Sequence, residues 1–295
     1  MVRRFLLPAL VVLVAALSAA PLSAQKQGQL FLSVTGPDGK PVEGLTAADV
    51  TVTEDGMECK TLKVEPITWP TKVQVLVDNG RSNTSPINPL RDGLKEFFTL
   101  MPEGTEVSVY VTAGTPRAII KGTTDKQKLI DSIALIAPDN GAGMFFDALS
   151  EAAERVAKEK TPSFGIIMMI GSDFGSMRVL DRDYQKLQQN VFEKGITTHV
   201  ILTVGGQGGA SGGGQVDVGI NVTKLSGGRF ENINGSTRLA TLLPEYGKLI
   251  ADSIRRQGNQ VRVTYERPAK PNERAAIATV VRREGAVRLS LRGNQ

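Results

Sequence analysis

The chain of 295 residues has one cysteine, Cys59, and one histidine, His199. A single thiol rules out an internal disulfide and any cysteine-rich metal site. A single imidazole rules out paired-histidine zinc motifs such as HExxH. Aromatic residues make up only 5% of the chain, and none is interleaved with the C-terminal basic residues Arg282, Arg283, Arg288 and Arg292. That stretch therefore reads as a solvated strand pair rather than a nucleic-acid surface. Net charge is small: a formal +5, two units of which are Arg3 and Arg4. Glycine is plentiful, and 205–214 is glycine-rich. No GxGxxG or GxxxxGK[ST] register fits there, so a phosphate cradle is not indicated and a surface loop at a partner-adaptable rim is.

Only one apolar run is long. It extends from Phe5 to Leu17, broken by Pro8, and is short for a membrane span. Two arginines precede it, and Leu22-Ser23-Ala24 follows with small residues. Residues 1–24 read as a signal peptide, with an uncleaved N-terminal anchor as the alternative. No cysteine follows for lipid attachment. The expectation is an exported chain, secreted or periplasmic.

Residues 25–70 read as a small β module: a strand at 29–35, a Gly36-Pro37-Asp38-Gly39 turn, a strand at Val50 and Val52, a hairpin turn at Asp55-Gly56, and one strand from Cys59 to Ile67. Such a module is too small to stand without a neighbour. From residue 71 to 258 strands alternate with helices. Strands are expected at 73–77, 106–112, 116–123, 164–170 and 198–204, and helices at 89–101, 125–136, 145–156, 184–192 and 239–254. Ile220 to Leu225 reads as a short helix stopped by Gly227-Gly228, before a short strand at Arg229-Phe230. Residues 259–295 read as C-terminal strands packing on the β module. Alternation of this kind predicts an α/β fold: a doubly wound, mostly parallel sheet with helices on both faces. Trp69, just before the first sheet strand, is expected to pack the two modules together. His199 lies inside an apolar strand and reads as a structural residue.

Residues 72–82 carry the most chemistry. Val73, Val75, Leu76 and Val77 form a strand apolar on both faces, broken only by Gln74. It ends in Asp78-Asn79-Gly80-Arg81-Ser82. Asp78 and Ser82 either supply hard oxygen ligands of the kind Mg²⁺ or Ca²⁺ prefers, or close the turn and cap the next helix. A second buried strand ends in Gly171-Ser172-Asp173. In a doubly wound sheet these strands are neighbours on either side of the switch point, which places Asp78 and Asp173 at one crevice. Two such carboxylates repel each other unless a cation joins them or one gains a proton.

With Gly141-Ala142-Gly143 before Phe-Phe-Asp-Ala-Leu, these residues resemble the von Willebrand factor type A domain. The 39–56 segment is similar to the one preceding this domain in secreted bacterial proteins, notably those of acidobacteria. Ser226-Gly227-Gly228-Arg229-Phe230 and 287–293 resemble the end of the same family. The resemblance covers roughly 29–293 and implies a metal-ion-dependent adhesion site. Asp78, Ser82 and Asp173 match its ligands, and Mg²⁺ is the cation implied. Two hydroxyl positions of the pattern fall on Gly80 and Gly143, so the site is degenerate, and water, Asn79, Asn83 or Asp139 would have to fill in. The function implied is a non-enzymatic interaction protein that presents this crevice to a protein partner. The alternatives are a structural envelope component with a vestigial crevice and a metal-assisted hydrolase using the same two acids.

Overall fold

The computed structural model describes residues 26–38, 40–81, 87–173, 177, 179–204, 213–270, 272 and 274–290. The leader at 1–24 lies outside them. The first strand, β1 (Gln27–Thr35), buries Leu30, Leu32 and Val34. A short 3-10 turn at Ala47–Asp49 leads into β2 (Val50–Glu54), which buries Val50 and Val52 on one side. Asp55 and Gly56 both take positive φ, 50° and 79°, the turn that matches the twist of a two-residue hairpin. The return strand β3 (Met57–Cys59) pairs Cys59 with Val52.

The single strand expected from Cys59 to Ile67 is two. The chain breaks at Lys60, and β4 (Thr61–Pro66) joins a different sheet. The break is held by hydrogen bonds: Thr61 Oγ1 donates to Val50 O at 2.7 Å, and Lys60 O accepts the Glu266 N–H at 2.9 Å.

The α/β part begins with β5 (Thr71–Val77). It continues through α1 (Ile87–Leu100), β6 (Glu106–Val111), β7 (Arg117–Thr123), α2 (Lys126–Ser132), α3 (Phe145–Ala157), β8 (Phe164–Ser172), α4 (Asp181–Glu193), β9 (Thr197–Thr203), α5 (Gly213–Ser226), β10 (Phe230–Ile233) and α6 (Leu239–Gln257). The sheet order is β10-β9-β8-β5-β6-β7, parallel except for β7, which returns antiparallel beside β6. The chain thus enters at β5, winds outward through β6 and β7, and then crosses to β8 on the other side. The switch point lies between β5 and β8, which pair from Thr71↔Phe164 to Val77↔Ile170.

Both sheet faces are covered, which explains the continuous apolar strands. Val73, Val75 and Val77 pack with α1, α2 and α6, whereas Leu76, Ile167 and Met169 pack with α3, α4 and α5. Every residue of β8 is buried. Asp125 caps α2 as its sequence suggests, its side chain accepting the N–H groups of Gln127 and Lys128. Helix α5 is longer than its apolar pattern indicated, because it starts at Gly213 inside the glycine-rich stretch. The rest of that stretch, 205–212, lies outside the described residues.

The last strands are β11 (Val261–Glu266), β12 (Ile277–Val281) and β13 (Ala286–Ser290). The strand pair expected at the C-terminus does not form. β12 pairs with β2 and β13 with β1, so the turn at Glu284-Gly285 steps from one sheet to the other. The sheets are β13-β1-β11-β4 and β12-β2-β3, and they share a core of Leu30, Leu32, Val50, Val52, Val263 and Tyr265. Trp69 packs between Phe31 of β1 and Phe164 of β8 with its ring tilted against both, centroids 5.5 and 5.4 Å away. This aromatic cluster joins the β strands to the α/β sheet, as its place in the sequence suggested.

Candidate functional site

Asp78 and Asp173 lie at the carboxyl ends of adjacent parallel strands, as the doubly wound reading required. The Asp78 N–H donates to Ile170 O at 2.8 Å, which extends the β5–β8 ladder by one residue. The Asp173 N–H donates to Thr203 O at 3.0 Å on β9. Both acids are buried, Asp78 at 5% exposure and Asp173 at 8%. Ser82, the third residue of the expected ligand set, lies outside the described residues.

The Asp78 carboxylate is held by backbone. Its Oδ1 accepts the Gly80 N–H at 2.8 Å, and the Ser172 backbone on β8 also favours its charged form. Burial raises its pKa, and these two contacts pull in the opposite direction without cancelling the rise.

Three segments meet around this acid. Asn79 is 5% exposed and joins them: Oδ1 accepts the Ala113 N–H at 3.2 Å, and Nδ2 donates to Ala137 O at 2.7 Å. Asn79 O accepts the Asp139 N–H at 2.8 Å, and the Arg81 N–H donates to Gly141 O at 3.0 Å. The Gly114 N–H donates to Ala142 O at 2.8 Å, and the Met144 N–H donates to Thr112 O at 3.0 Å. The turn after β5, the turn after β6 and the 137–144 loop are therefore laced together.

The glycines make that contact close. A Cβ at Gly80 would stand 2.7 Å from Gly141 O and 2.8 Å from Gly143 N. A Cβ at Gly143 would overlap the Asp78 carboxylate, 2.5 Å from its Cγ. A Cβ at Gly141 would stand 2.7 Å from Gly114 N. Both positions where the family pattern has a hydroxyl are thus filled by neighbouring atoms. Mg²⁺ takes six oxygens in near-ideal octahedral geometry. Among the described residues no group of three or more His, Cys, Asp or Glu could hold a metal ion. In the described part of this crevice Asp78 Oδ1 accepts a backbone N–H, and a side chain at Gly80 or Gly143 would need neighbouring atoms to shift before it could offer a ligand oxygen.

His199 is remote from this chemistry in role. It is 4% exposed on β9, its Nδ1 accepts the Arg229 N–H at 3.1 Å, and its ring meets Tyr246 edge-on at 5.7 Å. Burial, aided by the Arg229 charge, pushes its pKa down to about 4. Sequence reading named Asn79 only as a substitute ligand and did not include Thr112, Ala113 and Gly114. Their signal was the glycine break after β6, which marks a turn but not what the turn touches.

No protein-family model matches the sequence, and no curated protein matches it. Solved structures do. A von Willebrand factor type A protein from Catenulispora acidiphila superposes with a TM-score of 0.51 at 10% identity, covering 78% of this chain and 51% of that one.

This chain has the von Willebrand factor type A fold.

It spans about half the length of that protein. BatB from Bacteroides thetaiotaomicron superposes with a TM-score of 0.47 at 13% identity, over 62% of this chain and 100% of that one. Proximal thread matrix protein 1 from the mussel byssus, solved with zinc in its metal-ion-dependent adhesion site, gives 0.48 at 14% identity over 72% and 50%. In this fold Asp78 and Asp173 follow β5 and β8, the adjacent strands at the switch point.

Proposed function

We propose that this chain is an exported, non-enzymatic interaction protein whose type A crevice meets a protein partner without a bridging cation. Asp78, Ser82 and Asp173 are the remnant of a degenerate divalent-cation site. The observation that carries this reading is the close packing of Gly80 and Gly143 against the 137–144 loop and the Asp78 carboxylate. A crevice so filled offers a partner's carboxylate no metal to complete.

What remains for recognition is the rim. Arg81, Thr115 and Asn140 are exposed on the three laced segments. The Arg81 N–H is bonded to Gly141 O, and the segments carrying Thr115 and Asn140 are tied at Gly114, Asp139 and Gly141, so little ordering is left for binding to impose. Catalysis finds less support. Acid–base work at Asp78 and Asp173 needs a partner group within reach, and the only imidazole is buried against Tyr246 and committed to the Arg229 N–H. No helix among the described residues is long and apolar enough to cross a membrane. Export rests on the leader reading of residues 1–24.

The test is partner recovery from envelope extract by the tagged chain, with Mg²⁺ or with EDTA. Recovery equal in the two buffers and lost on Arg81→Glu is the expected result. Recovery that needs Mg²⁺ would overturn the cation-free reading. Recovery unaffected by Arg81→Glu and Asn140→Arg together would remove the rim and favour a structural envelope role.

A further inference from the structure

We infer that Asp78 has become a latch: its carboxylate closes the crevice by direct hydrogen bonds, and glycines at 80, 141 and 143 are the steric condition for that closure. The inference concerns the architecture of the crevice and does not depend on any partner.

The argument begins with the backbone. Asp78 Oδ1 accepts from Gly80 in its own turn, and the Ser172 backbone on the neighbouring strand also favours its charged form. The turn is tied across the switch point between β5 and β8 by the Asp78 N–H, which donates to Ile170 O at 2.8 Å. The Asp78 carboxylate fills the volume where a side chain at Gly143 would begin. At Gly80 the obstacle is stiffer, because the atoms in the way are Gly141 O and Gly143 N, which are backbone. The loop lies this close because Arg81, Asn79 and Gly114 hydrogen-bond to it at 3.0, 2.8 and 2.8 Å.

An abandoned metal site and a latch predict opposite signs. In an abandoned site, Asp78 is a buried charge beside Asp173, and removing it relieves desolvation and repulsion. In a latch, Asp78 satisfies a backbone donor, and removing it leaves the buried Gly80 N–H without that acceptor. In the same way, restoring side chains at 80 and 143 rebuilds an abandoned site but wedges open a latch.

The experiment is thermal unfolding of the purified full chain and of Asp78→Ala, Gly143→Ala and the pair Gly80→Ser with Gly143→Thr. Each is melted with EDTA and with millimolar Mg²⁺ or Mn²⁺. The expected result is a Tm lowered by about 5 °C or more in every variant that folds. Neither metal is expected to change the Tm of wild type or of the double variant. Wild type alone is decisive if the variants fail to fold: a metal-dependent rise in its Tm, which binding to the native state must produce, overturns the latch. A rise in Tm for Asp78→Ala, or metal rescue of Gly80→Ser with Gly143→Thr, overturns it too.

Discussion

Asn79 and Ala113 are joined side chain to backbone across the crevice, with Asn79 Oδ1 accepting the Ala113 N–H at 3.2 Å while its Nδ2 holds Ala137 O at 2.7 Å. One buried amide thereby ties the turn after β5 to the turn after β6 and to the loop before α3. Asn79→Ala removes both bonds and strands a buried N–H. The expected cost is about 2 kcal/mol, read from urea unfolding. Hydrogen exchange at Ala113 should quicken in step with it. An unchanged exchange rate would show that the segments hold together without Asn79.

Gln74 is the polar residue that interrupts β5, and the structure gives the reason. Its Nε2 donates to Ala152 O at 2.9 Å, and its Oε1 accepts Arg155 Nε at 2.7 Å. The Arg155 guanidinium lies 4.0 Å over the Tyr110 ring. Gln74→Ala takes the acceptor from a half-buried cation and should cost about 2–3 kcal/mol. Gln74→Leu combined with Arg155→Met should cost clearly less than the two single changes summed. Additive costs would show that the two side chains act independently.

Glu54 is 1% exposed, and both of its oxygens accept Arg267 Nε at 3.1 Å. The pair fixes β2 to the chain just after β11. Arg267→Ala leaves a buried carboxylate without its counter-charge and should cost about 3 kcal/mol. Replacing both residues by apolar ones of similar size should restore much of that loss. Denaturant midpoints of the two variants measure it.

His199 sets the pH dependence. Its pKa in the folded chain, about 4, lies below the ordinary 6.5. The unfolded chain therefore binds the extra proton first. The stability from keeping this ring neutral is fully present above about pH 6.5 and is lost as pH falls toward 4, about 3 kcal/mol in all. His199→Gln keeps an acceptor for the Arg229 N–H and should flatten that segment of the curve. The Asp49 and Glu154 carboxylates are held down to about 2, Asp49 mainly by Thr46 and Arg283 and Glu154 by Lys186 and Lys158. Their contribution is lost as pH falls from about 4.5 to 2, a window that meets that of His199 only at its upper end.

The adjacent glycines at 227 and 228 do different work. Gly227 takes φ +70°, and Gly227→Ala should cost about 1 kcal/mol. Gly228 lies against β9, where a Cβ would stand 2.6 Å from the Thr198 carbonyl carbon. Gly228→Ala should cost more, about 2–3 kcal/mol. Thermal melts of the two variants give the order.

Much of this architecture was legible in the sequence because both-face burial leaves a plain mark. The apolar runs at β5 and β8 and the helical spacing in α1, α3 and α6 placed the sheet. The switch point then followed from right-handed winding. Pairing between distant segments was not legible. Nothing in 57–66 says that a single residue, Lys60, divides two sheets, and nothing in 275–291 says that β12 and β13 take different partners. Those choices are made by cross-strand hydrogen bonds to β2, β11 and β1. At the crevice, the two acids were legible as strand-end residues. The glycines were legible only as missing ligands, because a sequence shows the side chain that is absent and not the backbone that takes its place.

The most direct measurement is equilibrium binding of Mn²⁺ to the purified chain, followed by the paramagnetic signal of free metal, for wild type and Asp173→Ala. The account predicts no stoichiometric binding up to millimolar metal and no difference between the two proteins. One Mn²⁺ per wild-type chain, lost on Asp173→Ala, would contradict it.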